Sequence, residues 1–174
     1  YDSGGRMLRA GDKNNVTIQP VNDAQGRLTG FMDHFSNQVL WIRYTGARLT
    51  SVSDQATGGR TVHYGYDAAG RLTNAVDVRG FSTEYRYDES GRLNFKREPG
   101  GKETHVSYHP DGTLAGLYDQ DGVGIAYEYG QDLARNLTYA IQRHTDGTVI
   151  QEWYDESVIP VRRQVDGRVT FDRT

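Results

Sequence analysis

Two histidines, one acidic loop and two glycosylation sequons are the residues of this chain whose types and spacing could do chemistry. His105 and His109 are four residues apart, and imidazole nitrogens that converge can bind zinc. The run DQDG at residues 119–122 resembles the opening of a calcium-binding loop. Sequons begin at Asn15 and Asn136, and they matter in a secreted eukaryotic protein. Whether any of these groups can act depends on the elements that carry them.

The elements follow from a seven-residue phrase, Tyr-Asp-x-x-Gly-Arg-Leu, that recurs about every 21 residues. It is complete at residues 66–72 and 87–93, and close copies begin at residues 1 and 22. Weaker copies begin at residues 44, 108, 129 and 154, with one residue missing near 45 and four inserted before 154. A fixed period of this length indicates a repeat architecture, so it determines the fold class.

Each repeat is predicted to be a β-hairpin. The heptad Asp can accept backbone N–H groups in a tight turn, and Gly70 and Gly91 are predicted to supply the positive φ that such a turn needs. A second turn, DVRG, follows at residues 77–80. After it, aromatic and polar residues alternate from Phe81 to Tyr87, which is the period of a half-buried strand. Two strands and two turns therefore make one unit.

Stacked units predict an all-β fold, an array of β-hairpins that forms a continuous curved antiparallel sheet. Residues 1–174 are expected to be a single partial domain of about eight units. The tyrosine face repeats and the other face varies, so Tyr85, Tyr87 and Tyr127 are predicted to be largely buried. Glu84, Arg86 and Glu128 are predicted to face water. The heptad Arg is expected to bind a tyrosine hydroxyl or the Asp of a neighbouring turn.

The residues that define the repeat are predicted to be scaffold residues, and no catalytic, cofactor-binding or metal-binding residue is predicted. The scaffold set is Tyr1, Asp2, Gly5, Arg6, Asp23, Gly26, Arg27, Leu28, Tyr66, Asp67, Gly70, Arg71, Leu72, Tyr85, Tyr87, Asp88, Gly91, Arg92, Leu93, Tyr108, Gly112, Leu114, Tyr127 and Tyr129.

The strand assignment weakens each candidate for chemistry. Residues four apart on one strand are about 13 Å apart, so His105 and His109 are too distant to share a metal. The DQDG run falls where the repeat places a turn, and Gly130 stands where a calcium loop needs an acidic ligand. Residues 31–44 and 131–143 also allow a short helix, but their alternation favours strands.

Composition excludes several classes of function. The net charge is −3, so the chain lacks the basic footprint of a nucleic-acid-binding protein. The hydrophobic content is 36%, and no apolar run approaches the length of a membrane span. Cysteine is absent, which leaves the compartment open. The sequence has no Gly-x-Ser-x-Gly elbow, phosphate-binding loop or cysteine nucleophile, so an enzyme is not expected.

The heptad at this spacing resembles the YD-repeat, or Rhs-repeat, family, which includes bacterial polymorphic-toxin and insecticidal-toxin shell proteins and the animal teneurins. The resemblance implies a β-strip that spirals into a hollow shell, which encloses a C-terminal toxic domain in the toxin members. It also implies a secreted or cell-surface protein. In related surface proteins the repeats serve adhesion, and carbohydrate binding has been proposed for them.

On this resemblance, the chain is expected to be a structural wall segment of a secreted repeat protein. Its expected partners are the remainder of its own shell and an enclosed C-terminal domain, without nucleic acid. The alternative is a carbohydrate- or protein-binding surface that meets a glycan or a cell-surface protein. No Asp-Pro dipeptide of the kind found in self-cleaving shells occurs, and about eight units are too few for a closed shell. We therefore expect a segment of a longer protein.

Overall fold

The computed structural model describes residues 3–5, 7–14 and 16–173, and this part of the chain contains strands and no helix. Tyr1, Asp2, Arg6 and Asn15 lie outside the described residues. The strands are β1 (Ala10–Gly11), β2 (Thr17–Asn22), β3 (Leu28–Met32), β4 (Gln38–Thr45), β5 (Arg48–Ser53), β6 (Thr61–Tyr66), β7 (Leu72–Val76), β8 (Ser82–Tyr87), β9 (Leu93–Arg97), β10 (Glu103–Tyr108), β11 (Leu114–Tyr118), β12 (Gly124–Asp132), β13 (Leu137–His144), β14 (Val149–Tyr154), β15 (Pro160–Val165) and β16 (Arg168–Asp172).

The chain forms two compact units, Tyr1–Glu84 and Tyr85–Thr174. In the first unit each strand pairs antiparallel with the next along the chain, from β1 to the first half of β8. The second unit repeats this order from β9 to β16. The prediction of an all-β array of stacked hairpins is confirmed, and both segments with a helical alternative are strands. No helix long and apolar enough to cross a membrane occurs among the described residues.

Turns lie in two rows, one at each end of the strands. The YD turns begin at the heptad Asp, and the opposite turns lie at the other ends of the hairpins. In a YD turn the Gly70 N–H donates to the Asp67 carbonyl at 3.0 Å, and the Asp67 N–H donates to the Arg71 carbonyl at 3.0 Å. The φ values of Gly70 and Gly91 are 89° and 81°, so the predicted positive φ is confirmed. The opposite turns at Asp33, Asp77 and Asp119 close with the same two hydrogen bonds.

In several hairpins the strand that follows a YD turn carries one extra residue opposite the heptad tyrosine, whereas the hairpin of β12 and β13 pairs without a shift. Tyr66 pairs with Leu72 and Gly65 pairs with Asn74, so Thr73 has no partner in the register. The same shift occurs between Arg43 and Tyr44, and between Ser107 and Tyr108. An extra residue of this kind bends a strand and leaves backbone groups unpaired. The extra Thr compensates in two repeats: the hydroxyls of Thr29 and Thr50 donate to the carbonyls of Val21 and Arg43 at 3.1 and 3.2 Å.

The most buried apolar side chains lie on the face opposite the tyrosines. Phe95 pairs with His105, and Trp153 pairs with Tyr139 and Arg162 on this varied face. Phe95 and Trp153 are only 6% and 8% exposed. Guanidinium groups cover them, with Arg86 and Arg97 at 4.4 and 5.4 Å from the Phe95 ring centre and Arg162 at 5.4 Å from that of Trp153. Flat arginine side chains can shield an aromatic ring where no second sheet covers the first.

The predicted difference between the two faces therefore holds only in part. Tyr85, Tyr87 and Tyr127 are half-buried, and none is fully buried. Arg86 and Glu128 are exposed as predicted. Glu84 is half-buried, so the prediction that it faces water is wrong.

Val158 takes the place of the turn glycine in the last YD turn, with φ 60°. Its N–H donates to the Asp155 carbonyl at 3.0 Å, as Gly70 does to Asp67. A β-branched residue is strained in this region of φ. We expect Val158→Gly to raise the free energy of unfolding by about 1 kcal/mol, and Gly91→Val to lower it by at least about 1 kcal/mol. Urea denaturation measures both, and a destabilised Val158→Gly variant would contradict the expectation.

Candidate functional site

The backbone pairing between successive hairpins stops short of the YD turns. The register between neighbouring hairpins ends before the heptad Leu, so the carbonyls of Leu28, Leu49 and Leu93 have no partner in the backbone pairing. An unpaired carbonyl in a partly buried setting is costly, so another donor is required. The last pairs are Gly30–Trp41, Ser51–His63 and Phe95–His105.

The heptad tyrosine of the next hairpin supplies that donor. Its hydroxyl donates to the Leu carbonyl of the preceding hairpin, where the backbone pairing has ended. Bonds of this kind join Tyr44 to Leu28 at 2.9 Å, Tyr66 to Leu49 at 2.7 Å and Tyr108 to Leu93 at 2.8 Å. The expectation that the heptad Arg serves as the hydroxyl partner is wrong at these tyrosines, because the backbone carbonyl takes that role.

The heptad Arg binds the Asp of its own turn. The Nε–Oδ2 distances are 2.8 Å for Arg27 and Asp23, 2.7 Å for Arg71 and Asp67, and 2.8 Å for Arg92 and Asp88. At Arg27 and Arg92 the ion pair therefore forms within one turn, and the expected pair with the Asp of a neighbouring turn is wrong for these two arginines. The two residues are four apart across one turn, so the guanidinium reaches its carboxylate without leaving the hairpin.

From that anchored position the guanidinium extends to the next hairpin. Arg27 lies over the ring of Tyr44 at 4.9 Å, and Arg92 lies over the ring of Tyr108 at 4.5 Å. Arg27 also donates through Nη1 to the carbonyl of Gly46 in the next YD turn. We call this arrangement the tip lock: the Asp, Arg and Leu of one hairpin with the Tyr of the next. Its hydroxyl bond contributes about 1 kcal/mol and its exposed cation–π contact about 0.5–1 kcal/mol.

The turn glycine serves the lock as well as the turn. A Cβ on Gly70 would lie 2.5 Å from Nη2 of Arg48, the heptad Arg of the preceding hairpin. Arg48 also reaches the Asp67 carbonyl through Nη1 at 3.5 Å. A side chain at this glycine would therefore displace the Arg48 guanidinium. It would also be strained, because the backbone has a positive φ at this position.

The turn carboxylates stay ionised to lower pH than an ordinary Asp. The Arg71 backbone N–H, followed by the Arg71 guanidinium, lowers the pKa of the Asp67 carboxyl from its ordinary 3.8, against an opposing effect of desolvation. In the same way, the hydrogen bond from the Arg27 backbone N–H is the main cause that lowers the pKa of Asp23. The Arg92 backbone N–H has the same effect on the pKa of Asp88.

Other scaffold residues predicted from the sequence lie either in the turns or in the Leu–Tyr pairs beside them. Gly5, Gly26 and Gly112 have φ values of 77°, 80° and 90° at turn positions. Leu72 and Leu114 pair directly with Tyr66 and Tyr108. Sequence reasoning missed the hydroxyl-to-carbonyl bond and the Thr that follows Leu. The signal for the latter was present, because the heptad Leu is followed by Thr at residues 29, 50 and 73.

The tip lock is missing at Tyr129. The preceding YD turn carries His109 and Thr113 where the heptad has Asp and Arg. The Nε2–H of His109 donates to the Tyr127 carbonyl at 2.8 Å, so His109 bridges the two hairpin ends. Tyr129 is 47% exposed, and a cavity of about 530 Å³ lies beside it.

The candidates for chemistry raised by the sequence are engaged in local contacts. Nε2 of His105 lies 3.1 Å from a Glu103 carboxylate oxygen, and its ring meets Phe95 edge-on at 5.3 Å. Asp119 uses Oδ1 to accept the N–H groups of Asp121 and Val123, each at 2.9 Å, so the DQDG run is a turn. Among the residues that the structure describes, no three His, Asp or Glu side chains converge to hold a metal ion.

Within each unit, hairpins that pair antiparallel and contact one another at their turns define a β-hairpin repeat protein. The family model RHS Repeat matches residues 44–82, and the resemblance inferred from the heptad is thereby confirmed. These residues span two heptad tyrosines, Tyr44 and Tyr66, together with the turns between them. A search of the curated proteins found no significant match.

Three solved structures share the fold. TcdB2-TccC3-Cdc42 matches with a TM-score of 0.59 at 18% identity, over 91% of this chain and 9% of that chain. TcdB2-TccC3-TEV matches with a TM-score of 0.60 at 19% identity, over 87% of this chain and 9% of that chain. The Photorhabdus luminescens Tc holotoxin pore, with a substituted TccC3, matches with a TM-score of 0.56 at 18% identity, over 86% of this chain and 9% of that chain. This chain thus spans 9% of the length of each, and the likeness is one of fold.

The hydroxyl bond of the tip lock can be tested with a matched pair of variants. Tyr108→Phe removes the hydroxyl that donates to the Leu93 carbonyl. Because this carbonyl then loses its hydrogen bond, we expect the free energy of unfolding to fall by about 1 kcal/mol. Tyr129→Phe removes an exposed hydroxyl that makes no hydrogen bond with the described residues, so a change below about 0.5 kcal/mol is expected. Equal losses for the two variants in urea denaturation would contradict this account of the lock.

The turn carboxylates predict a loss of stability in acid. A carboxyl whose pKa is lowered by folding stabilises the native state above the pKa of the unfolded chain, about 3.9. That contribution is lost as the pH falls through the lower native pKa of Asp23. Asp23→Asn keeps a side-chain acceptor for the turn but removes the titration. We therefore expect the urea midpoint of this variant to fall less steeply between pH 5 and pH 2 than that of the wild type, and identical slopes would refute the assignment.

Proposed function

We propose that the chain is a structural wall segment of a secreted YD/Rhs-repeat protein whose shell encloses or presents a toxin or another C-terminal domain. The tip lock carries this proposal. Each lock joins a hairpin to the next along the chain, so its contacts lengthen a strip and do not shape a cleft. The residues that repeat, namely Tyr, Asp, Gly, Arg and Leu, serve the turn or the lock.

The chemistry of the surface supports a wall. Its carboxylates are largely paired with arginines or with turn N–H groups, as Asp67 and Asp88 are. A scaffold without a catalytic site belongs to this proposal, because the residues that repeat serve the turn or the lock. By analogy with the structures that contain TccC3 and TcdB2, the proposed partners are the rest of the chain's own shell and the domain inside it. A secreted or cell-surface location belongs to this proposal.

The test uses the complete protein in which the chain occurs. Electron microscopy is expected to show a hollow envelope with this segment in its wall, and limited proteolysis is expected to spare the enclosed domain. Arg27→Ala combined with Arg92→Ala removes two tip locks and should increase the digestion of that domain at least threefold. Arg79→Ala is the control, because Arg79 contacts Asp77 and Phe81 within its own turn. A segment that projects as a separate lobe, or equal digestion of both variants, would reject the wall.

A second candidate is a carbohydrate- or protein-binding surface, favoured by the exposed ring of Tyr129. Tyr129, Ala140 and Tyr154 line a second cavity of about 460 Å³ on the tyrosine face. Aromatic rings with a polar group at the rim are typical of recognition surfaces. Glycan-array binding by the wild type that is lost in Tyr129→Ala would support the carbohydrate form of this function, and the absence of any bound glycan would remove it.

A further inference from the structure

The turn between β10 and β11 differs from the heptad at the two positions that build a tip lock. His109 stands where Asp88 stands one repeat earlier, and Thr113 stands where Arg92 stands. Tyr129 follows Thr113 by the same 16 residues by which Tyr108 follows Arg92. The repeat therefore presents the aromatic ring of a lock without the guanidinium that covers this ring elsewhere.

The space beside Tyr129 is lined by Thr113, the residue that stands at the sequence position of the lock arginine. We call it the Tyr129 seat, and it is lined by His109, Pro110, Asp111, Thr113, Glu128 and Tyr129. The ring of His109 meets Tyr129 edge-on with 6.2 Å between ring centres, farther away than the arginines of the intact locks. Because a cavity of about 530 Å³ remains there, His109 bridges the hairpins without filling the seat.

The charge at the seat suits a cation. Asp111 uses Oδ1 to accept the N–H and hydroxyl of Thr113 at 2.9 and 2.7 Å, and its Oδ2 accepts no hydrogen bond from the described residues. Glu128 also lines the seat, but the Arg143 guanidinium binds both of its oxygens at 2.8 and 3.3 Å, so Asp111 is the carboxylate that offers a free oxygen there. A carboxylate beside a tyrosine ring is the same pair of groups that holds Arg27 between Asp23 and Tyr44.

We propose that the Tyr129 seat binds an arginine side chain supplied by another polypeptide segment packed against the strip, which completes the lock from outside. The guanidinium lies over the Tyr129 ring and pairs with Asp111. Arginine fits better than lysine, because a planar guanidinium can stack on the ring and bond a carboxylate in its own plane at the same time. This goes beyond the wall role, since binding can be measured on the chain alone, and it specifies the partner for the protein-binding candidate.

The binding test titrates the chain with N-acetyl-arginine amide and follows the tyrosine ring signals by NMR. Tyr129→Phe assigns the responding signal. A single amino-acid probe is expected to bind in about the millimolar range. N-acetyl-citrulline amide has the same shape without the charge, and N-acetyl-lysine amide has the charge without the plane. Both are expected to bind at least tenfold more weakly.

Two matched variants locate the site. Thr113→Arg supplies the missing guanidinium from within the chain, so it should weaken probe binding at least tenfold and raise the urea midpoint. Thr148→Arg is the control: the turn at residues 144–148 also reads His-x-Asp-Gly-Thr, and Asp146 accepts the Thr148 N–H at 2.9 Å. This variant should bind the probe like the wild type. Asp111→Asn should weaken binding severalfold without altering the tyrosine spectrum of the free protein.

The proposal is overturned by any of three results. The first is an absence of arginine-specific shifts at Tyr129 in the folded wild type. The second is citrulline or lysine binding as tight as that of arginine. The third is Thr113→Arg binding the probe as well as Thr148→Arg does. If the wall function failed its test in the complete protein, these binding outcomes would still stand. A glycan that shifts the NMR signal of Tyr129 where the arginine probe does not would assign the seat to a sugar.

Discussion

The stability of the stacked hairpins depends on finding hydrogen-bond donors for the backbone carbonyls that lie beyond the paired part of neighbouring hairpins. Pairing between hairpins ends before the YD turns, and at Leu28, Leu49 and Leu93 a tyrosine hydroxyl replaces the missing backbone donor. This requirement explains why the repeated aromatic residue is tyrosine, since phenylalanine has the ring but no donor. It also explains the position of the heptad Arg, which is held by its own Asp and covers the ring that makes this bond.

The lock compensates for a small core. Phe95 and Trp153 are the buried hydrophobic side chains of the described residues, and arginines cover both rings. With little apolar burial, stability is spread over many contacts of about 1 kcal/mol or less between neighbouring hairpins. A defect in one repeat, such as the strained Val158 or the missing arginine before Tyr129, is therefore expected to weaken its surroundings more than distant hairpins.

The periodic sequence predicted the fold well because turns and alternation are local. Asp67 and Gly70 identify their turn without knowledge of the neighbours, and the alternation from Phe81 to Tyr87 identifies its strand. The lock was not predictable in the same way, because it joins residues about 16 apart through a side chain and a carbonyl that the sequence does not distinguish. The covering of Phe95 by Arg86 was also missed, because alternation separates two faces without showing which one is better shielded.

The extra residue opposite Tyr44, Tyr66 and Tyr108 affects how such a chain can change length over evolutionary time. In the hairpins of Tyr44, Tyr66 and Tyr108 the shift lies next to the Tyr and Leu that make the lock, so each of these repeats contains its own correction of register. Duplication or loss of a whole unit leaves the register of the remaining units intact. The residues gained before Tyr154 lengthen one hairpin, β12 and β13, and the following strands β14 and β15 still pair. Length is therefore a property that this architecture can alter in whole units while the sheet on either side keeps its pairing.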